Sequence, residues 1–300
     1  MRVVLAGASG FLGQALSQAL IADGHRIATL VRRAPQRPSE VQWDPSLGEL
    51  DASALAGVDA VISLSGAGIS DKRWTPEYKQ LLLTSRVEPT ATIAATLAGM
   101  PAQDRPATWI SASAVGYYGE RGAQPLPESA TKGTGFLAEL VGHWEAATEP
   151  AARAGVRVAT LRTGLVLAAS GGLLARLIPI FKAGIGGKLG SGEQYQPWIT
   201  LTDVLGATRH VLSTESIAGP VNIVGPDPVP NKEFVRVLGS VLHRPALFPT
   251  PTFGIRLAIG QFADEGALAS QRAIPEVLTE TGFQFQHADL RTALEWAVKN

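Results

Sequence analysis

Three glycines at positions 7, 10 and 13, set directly behind the apolar run Arg2-Val3-Val4-Leu5-Ala6, constrain this chain more than any other feature. The run reads as a short buried strand. The Gly-x-x-Gly-x-x-Gly spacing opens straight into a helical pattern, with Phe11, Leu12, Ala15, Leu16, Ala19 and Leu20 on one face. Such a turn needs one glycine to reverse the chain, one to leave room for a pyrophosphate, and one to let helix pack on strand. The diphosphate then meets free amides at the positive end of the helix dipole. A glycine triplet alone says little, so the surrounding strand-turn-helix-strand frame carries the inference. Gly24 stops the helix, and Ile27 to Val31 supply the next strand.

Beyond that strand come Arg32 and Arg33, then a Pro-rich loop to Pro45. A dinucleotide fold that uses NAD places an acid here to accept from the ribose 2′-hydroxyl. A carboxylate repels a 2′-phosphate, whereas a guanidinium binds it with paired hydrogen bonds. The arginines therefore point to NADP; the bland reading is a solvated basic loop.

Val58 to Leu64 reads as the third strand, ending in the small residues Ser65-Gly66-Ala67-Gly68, and Trp74 to Leu97 as a helix. Arg86 lies one turn beyond Leu82 and could face the cofactor cleft or open solvent, the spacing alone favouring solvent. Thr108 to Ser113 is another strand, running into Ala114-Val115-Gly116-Tyr117-Tyr118-Gly119. Hydroxyls just past a central strand stand where an α/β sheet puts its chemistry, and they also suit an ordinary turn. Gly135 to Ala152 reads as helix and Val156 to Leu167 as strand. This alternation predicts an α/β fold with a parallel, right-handed, doubly wound sheet.

After Ala168 the texture changes to an apolar helix ending at Phe181 and a glycine-rich connection from Gly184 to Gly192. Gly187-Lys188 lacks the hydroxyl of a P-loop, since Leu189 follows. Thr202 and Asn231 are the expected caps of two further helices. Val221 to Val224 is expected to rejoin the main sheet. Pro245 to Pro251 reads as an irregular crossover and Leu290 to Val298 as a terminal helix.

Equal numbers of basic and acidic residues, 26 of each, favour neither a nucleic-acid partner nor an anionic membrane. No cysteine is present, and the five histidines are scattered, so neither a disulfide nor a thiolate or histidine metal site has support. The glycines interrupt the first apolar run too early for a signal peptide, and no run approaches a membrane span. A soluble, cytoplasmic protein is expected, acting on a small molecule, with its oligomeric state open.

Several segments resemble the extended short-chain dehydrogenase/reductase superfamily, and within it the epimerase-family group with a short extra C-terminal segment. The resemblance rests on Ala6-Gly7-Ala8-Ser9-Gly10-Phe11-Leu12-Gly13, Arg73-Trp74, Ser85-Arg86, Ser111 to Gly119 and Phe136 to Leu140. Trp144-Glu145, Leu161-Arg162-Thr163-Gly164, Leu189 to Gly192, Pro197-Trp198-Ile199 and Ser270-Gln271-Arg272 with Thr281-Gly282-Phe283 complete it. It implies an NADP-binding Rossmann domain over 1–167, rejoined near 220–225, with 168–300 mainly a substrate lobe. Cofactor contacts fall to Gly7, Ser9, Gly10, Phe11, Leu12, Gly13, Arg32, Arg33, Leu64, Ser65, Gly66, Arg86, Ser111, Thr163 and Gly164. Ser113 matches the family's active-site hydroxyl.

The family's Tyr-x-x-x-Lys pair is missing. Its positions hold Phe136 and Leu140 or, one residue later, Leu137 and Val141, and Thr200 and Thr202 replace frequent His and Asp. An unassisted tyrosine is a usable proton donor and a poor base, which favours reduction of a carbonyl or imine. Ser113 is expected to bind the substrate oxygen, with Tyr117 or Tyr118 as donor and Glu139 or His143 as alternatives. A non-catalytic NADPH-binding sensor or scaffold and an NAD-dependent nucleotide-sugar epimerase are the competing readings.

Overall fold

The computed structural model describes all 300 residues. The opening strand β1 (Arg2–Ala6) is buried from Val3 onward. It is followed by α1 (Phe11–Ala22), which buries Gly13, Leu16 and Leu20 against the sheet. Next, β2 (Arg26–Val31) pairs parallel to β1, with Ala6 opposite Leu30. The expected Pro-rich loop contains a short edge strand, β3 (Glu40–Gln42), aligned with β2. Arg33 fixes it by gripping both oxygens of Glu40 at 2.8 Å, a contact that local sequence patterning does not reveal. The strand expected third is consequently the fourth, β4 (Ala60–Ser63).

The helix α2 (Pro76–Gly99) precedes β5 (Thr108–Ala114). The single helix expected over 135–152 is two, α3 (Phe136–Ala146) and α4 (Glu149–Arg153). Pro150 has no amide to bond backwards and is tolerated only in the first turn of a new helix. The strand expected over 156–167 also divides, at Gly164. Its first part is β6 (Arg157–Thr163), while Leu165–Ala168 leaves the main sheet to pair with Trp198–Thr200.

Further on lie α5 (Gly172–Lys182), α6 (Leu201–Ser213), β7 (Gly219–Ile223) and α7 (Asn231–Val241). Thr200 caps α6 by accepting the Asp203 amide, where Thr202 was expected. Asn231 does not cap α7; its side chain accepts the amide of Leu189 at 2.8 Å and ties down the glycine-rich connection. The helix α8 (Thr252–Ile259) extends the expected crossover, a π-helical turn spans Ala263–Ala267, and α9 (Glu276–Glu280) and α10 (Leu290–Ala297) follow.

All seven strands run parallel in the order β7-β6-β5-β4-β1-β2-β3. Successive strands step outward from β1 in one direction and then in the other, so the order reverses between β1 and β4. Ligands of doubly wound sheets bind in the crevice at the strand ends beside such a reversal. One core fills the face under α1 and α6, with Leu5, Leu20, Ile62, Val211 and Ile223. The opposite face carries Ile93 and Leu97 of α2 against Val61 and Trp109. A third core joins α5, α7 and α10 through Phe181, Phe234, Leu238 and Leu294. Because α6 and β7 belong to the main layers, the segment after 168 interleaves with the first instead of standing apart. No helix is long and apolar enough to cross a membrane.

Candidate active site

The turn after β1 is shaped by two close approaches. At Gly7 φ is +81°, and a Cβ there would lie 2.7 Å from the Leu64 carbonyl carbon. A Cβ at Gly13 would lie 2.2 Å from the Gly7 carbonyl oxygen, so only glycine lets α1 start this close to β1. Gly10 differs: a Cβ there would meet nothing nearer than the Gly7 oxygen at 3.5 Å. No packing within the chain demands glycine at position 10. No side chain caps α1 and no acid occupies its first turn, so its leading amides face outward unpaired.

Two clefts meet over this turn, and Gly7, Gly10, Leu64, Ser65 and Gly66 line both. The one toward β2, of about 750 Å³, also takes in Ser9, Arg32, Arg33 and Asp44. Arg33 is committed to Glu40, whose carboxyl it pulls down to about 2. Arg32 is exposed and makes no hydrogen bond within the chain, so its guanidinium is the one available to a ligand.

The second cleft, of about 470 Å³, runs over the ends of β5 and β6 and is lined by Phe11, Leu12, Gly13, Thr163 and Gly164. Arg86 is there too, on the cleft side that its spacing leaves open and the family resemblance implies. Its guanidinium donates to the carbonyls of Leu82 and Ala67 and lies over the Trp144 ring, and burial lowers it to about 10. Ser111 does not reach either cleft. It is fully buried beneath the strand ends, beside the Ser63 hydroxyl at 3.3 Å.

The expected proton donors do not converge. Tyr118 is fully buried, its hydroxyl bonded to Asn222 at 2.8 Å and to Arg162 at 3.1 Å. Burial, first of all, pushes that phenol above its ordinary range. Tyr117 lies outside both clefts with its ring against the Arg162 guanidinium at 3.5 Å. Glu139 and His143 are on the outer side of α3, and Glu139 pairs with Lys132. Ser113 lines the cleft, yet its hydroxyl donates to Glu145 at 2.6 Å. Glu145 is also gripped by Arg162 through two contacts of 2.8 Å. Burial alone would lower Arg162, and the Glu145 carboxylate more than offsets it, holding the guanidinium above its ordinary range. Ser113 thus lines the cleft with its hydroxyl hydrogen engaged by the Glu145–Arg162 ion pair.

On α3 Leu137, Leu140 and Val141 line the cleft, and Leu137 and Val141 pack on Gly116, so apolar side chains occupy this wall. Phe136 instead packs edge-on against Trp74. Sequence reasoning missed Glu265, which enters the cleft from the π-helical turn and accepts the Leu137 amide at 2.8 Å. Gln271 also lines the cleft, 8% exposed and with no hydrogen bond to its side-chain amide. The motif around Gln271 was visible; nothing in it indicated that the side chain would reach a cleft built by β5 and α3.

Residues 3–224 match the profile of the NAD dependent epimerase/dehydratase family, and residues 250–297 match a domain of unknown function, DUF1731. An epimerase family protein of Mycobacterium bovis is 45% identical over 295 residues, 98% of this chain and 97% of its own. The crystal structure of human epimerase family protein SDR39U1 (isoform 2) with NADPH has a TM-score of 0.89 at 31% identity, covering 100% of both chains. That of the nucleoside-diphosphate sugar epimerase from Corynebacterium glutamicum has a TM-score of 0.81 at 34% identity, covering 99% of this chain and 58% of its own. Sequence, seven-stranded sheet and glycine cradle agree: this chain belongs to the NAD dependent epimerase/dehydratase family, within the extended short-chain dehydrogenase/reductase fold.

Proposed function

We propose that the chain is an NADP-dependent oxidoreductase that reduces a carbonyl or imine of a small molecule without a Tyr-x-x-x-Lys pair. The observation that carries this reading is the open N-terminus of α1 beside an unpartnered Arg32. Gly10 has no packing reason to be glycine, which fits a diphosphate lying against it. The human relative that was crystallised with NADPH supports the same cofactor here.

In this reading Gly7, Ser9, Gly10, Phe11, Leu12 and Gly13 hold the diphosphate on the α1 amides. Arg32 takes the 2′-phosphate, and Arg33 holds β3 in place instead of touching the ligand. Leu64, Ser65 and Gly66 bring the backbone of β4 under the nucleotide, with Arg86, Thr163 and Gly164 bordering the nicotinamide side. The bound dinucleotide supplies two electrons and one hydrogen to an unsaturated carbon. Leu137, Val141 and Trp144 exclude water around that carbon and strengthen the few polar contacts made there.

Replacing Arg32 by Glu is expected to reverse the order of affinity for NADPH and NADH, changing their ratio about 100-fold through loss of a charge-assisted contact and gain of repulsion. Calorimetric titration of each coenzyme checks it. Equal affinities in the wild type would overturn the 2′-phosphate assignment, and no uptake of either would overturn the function.

Absence of any tyrosine in the cleft favours the second reading, a protein that binds NADPH without turning it over. Steady NADPH oxidation with any carbonyl or iminium substrate would exclude it. A sugar-nucleotide substrate draws less support, because Arg86 is the only basic side chain in the second cleft and it is already bound to two carbonyls.

A further inference from the structure

Of the residues lining the second cleft only Arg86 and Glu265 can carry charge; Arg86 lies against Gly66 with two of its donors on backbone carbonyls. Glu265 is therefore the one acidic side chain of the cleft, set apart from the glycine turn on the π-helical segment. Each of its oxygens accepts one hydrogen bond, from the Leu137 amide and from Gln261 at 2.8 Å. A carboxylate has capacity for about four, so acceptor positions remain open. The walls around it are apolar, with Phe262, Leu137 and Val141, and Gln271 adds an unpartnered amide. The carboxylate is held at the start of α3 by the Leu137 amide.

From this we infer that the substrate is an apolar molecule bearing a cationic nitrogen, an iminium, held by Glu265. The inference rests on the reductase reading above and narrows its substrate class. A carboxylate in an apolar cleft attracts a cation strongly and repels phosphates and carboxylates. An iminium also removes the need for the missing acid. Reduction of a ketone must deliver a proton to oxygen. In an iminium, two electrons and one hydrogen from reduced nicotinamide dinucleotide add to carbon, forming the C–H bond. The C=N π pair becomes the nitrogen lone pair, the dinucleotide is left oxidised, and no proton is transferred. The product amine is neutral at that moment and loses its attraction to Glu265, which favours release.

Glu265 pairs with charge that fades as the reaction proceeds, so it contributes to substrate binding more than to the transition state. The test uses 2-methyl-3,4-dihydroisoquinolinium, its neutral analogue 1-tetralone, and UDP-glucose as an anionic probe. Binding is measured by calorimetry on protein saturated with NADP⁺, and rates with NADPH. Wild type is expected to bind the iminium at least about tenfold more tightly than tetralone, and not to bind UDP-glucose. In Glu265→Gln the amide oxygen still accepts the Leu137 hydrogen bond, so melting and coenzyme affinity should hold. The iminium preference should vanish, with KM up about tenfold and kcat unchanged or higher.

Equal binding of iminium and tetralone by wild type would overturn the inference. So would a Glu265→Gln protein that weakens both probes alike, since that marks a purely structural role. Loss of coenzyme uptake in the wild type would bring down the reductase reading as well, whereas normal uptake without iminium preference brings down this inference alone.

Discussion

Alanine at Gly13 is expected to abolish useful NADPH binding, lowering affinity at least about 100-fold, and to destabilise the fold by about 3 kcal/mol, the upper range for an overpacked contact. The added methyl would lie 2.2 Å from the Gly7 oxygen and 2.8 Å from the Ala8 Cα, both backbone atoms that cannot swing aside. The first turn of α1 must then move off β1, misaiming the amides meant for the diphosphate and loosening Leu16 and Leu20 from the core. Gly10→Ala separates the two consequences. Its methyl meets nothing nearer than 3.5 Å within the chain, so melting should stay at the wild-type value while coenzyme affinity falls about tenfold. Thermal melts and calorimetric titrations of both variants decide the matter. A Gly13→Ala protein with normal melting and normal uptake would show that the cradle is not where the coenzyme sits.

The second large effect concerns Arg162, which is 3% exposed and surrounded by groups that need it. Its Nε and Nη2 donate to Glu145, its Nη1 to the Glu128 carbonyl and the Tyr118 hydroxyl, and Tyr117 covers its face. Arg162→Ala strands the Glu145 carboxylate between β5 and α3 and opens a void, at an expected loss of about 3–5 kcal/mol. Glu145→Ala strands the guanidinium and costs a similar amount. Replacing both partners together, Arg162→Met with Glu145→Leu, should cost less than the sum of the single losses, because neither charge is left unpaired. Urea unfolding of the singles and the double measures the coupling, and strict additivity would show that the pair is not a unit. The double variant also tests Ser113, whose hydroxyl is freed from Glu145; retained coenzyme binding would place the network in structure and not in coenzyme recognition.

What could be read from the residues alone was whatever depends on neighbours in sequence. The strand, the turn and α1 were legible because their glycines and apolar spacing lie within one short stretch. The missing Tyr-x-x-x-Lys was legible for the same reason. Long-range pairings were hidden. Arg33 looks equivalent to Arg32 in sequence, yet it alone is paired with Glu40, which folds back as an edge strand. Ser113 and the two tyrosines looked like chemistry at a strand end. Glu145, a helix away, engages the Ser113 hydroxyl at the cleft wall, and Arg162, on the adjacent strand, holds Glu145 and packs against both tyrosines. The spacing of Arg86 leaves it open between cleft and solvent, since an arginine on a long helix is usually solvated; the family resemblance puts it on the cleft, and the carbonyls of Leu82 and Ala67 make that half-buried position tolerable. Glu265 could not have been assigned to the cleft, since its partner amide lies 128 positions earlier.

That long reach from Glu265 back to Leu137 closes one wall of the second cleft with a segment far in sequence from the glycine turn. Changes confined to the π-helical turn over Ala263–Ala267 are therefore expected to open that wall while the close packing of α1 on β1 at Gly13 stays as it is.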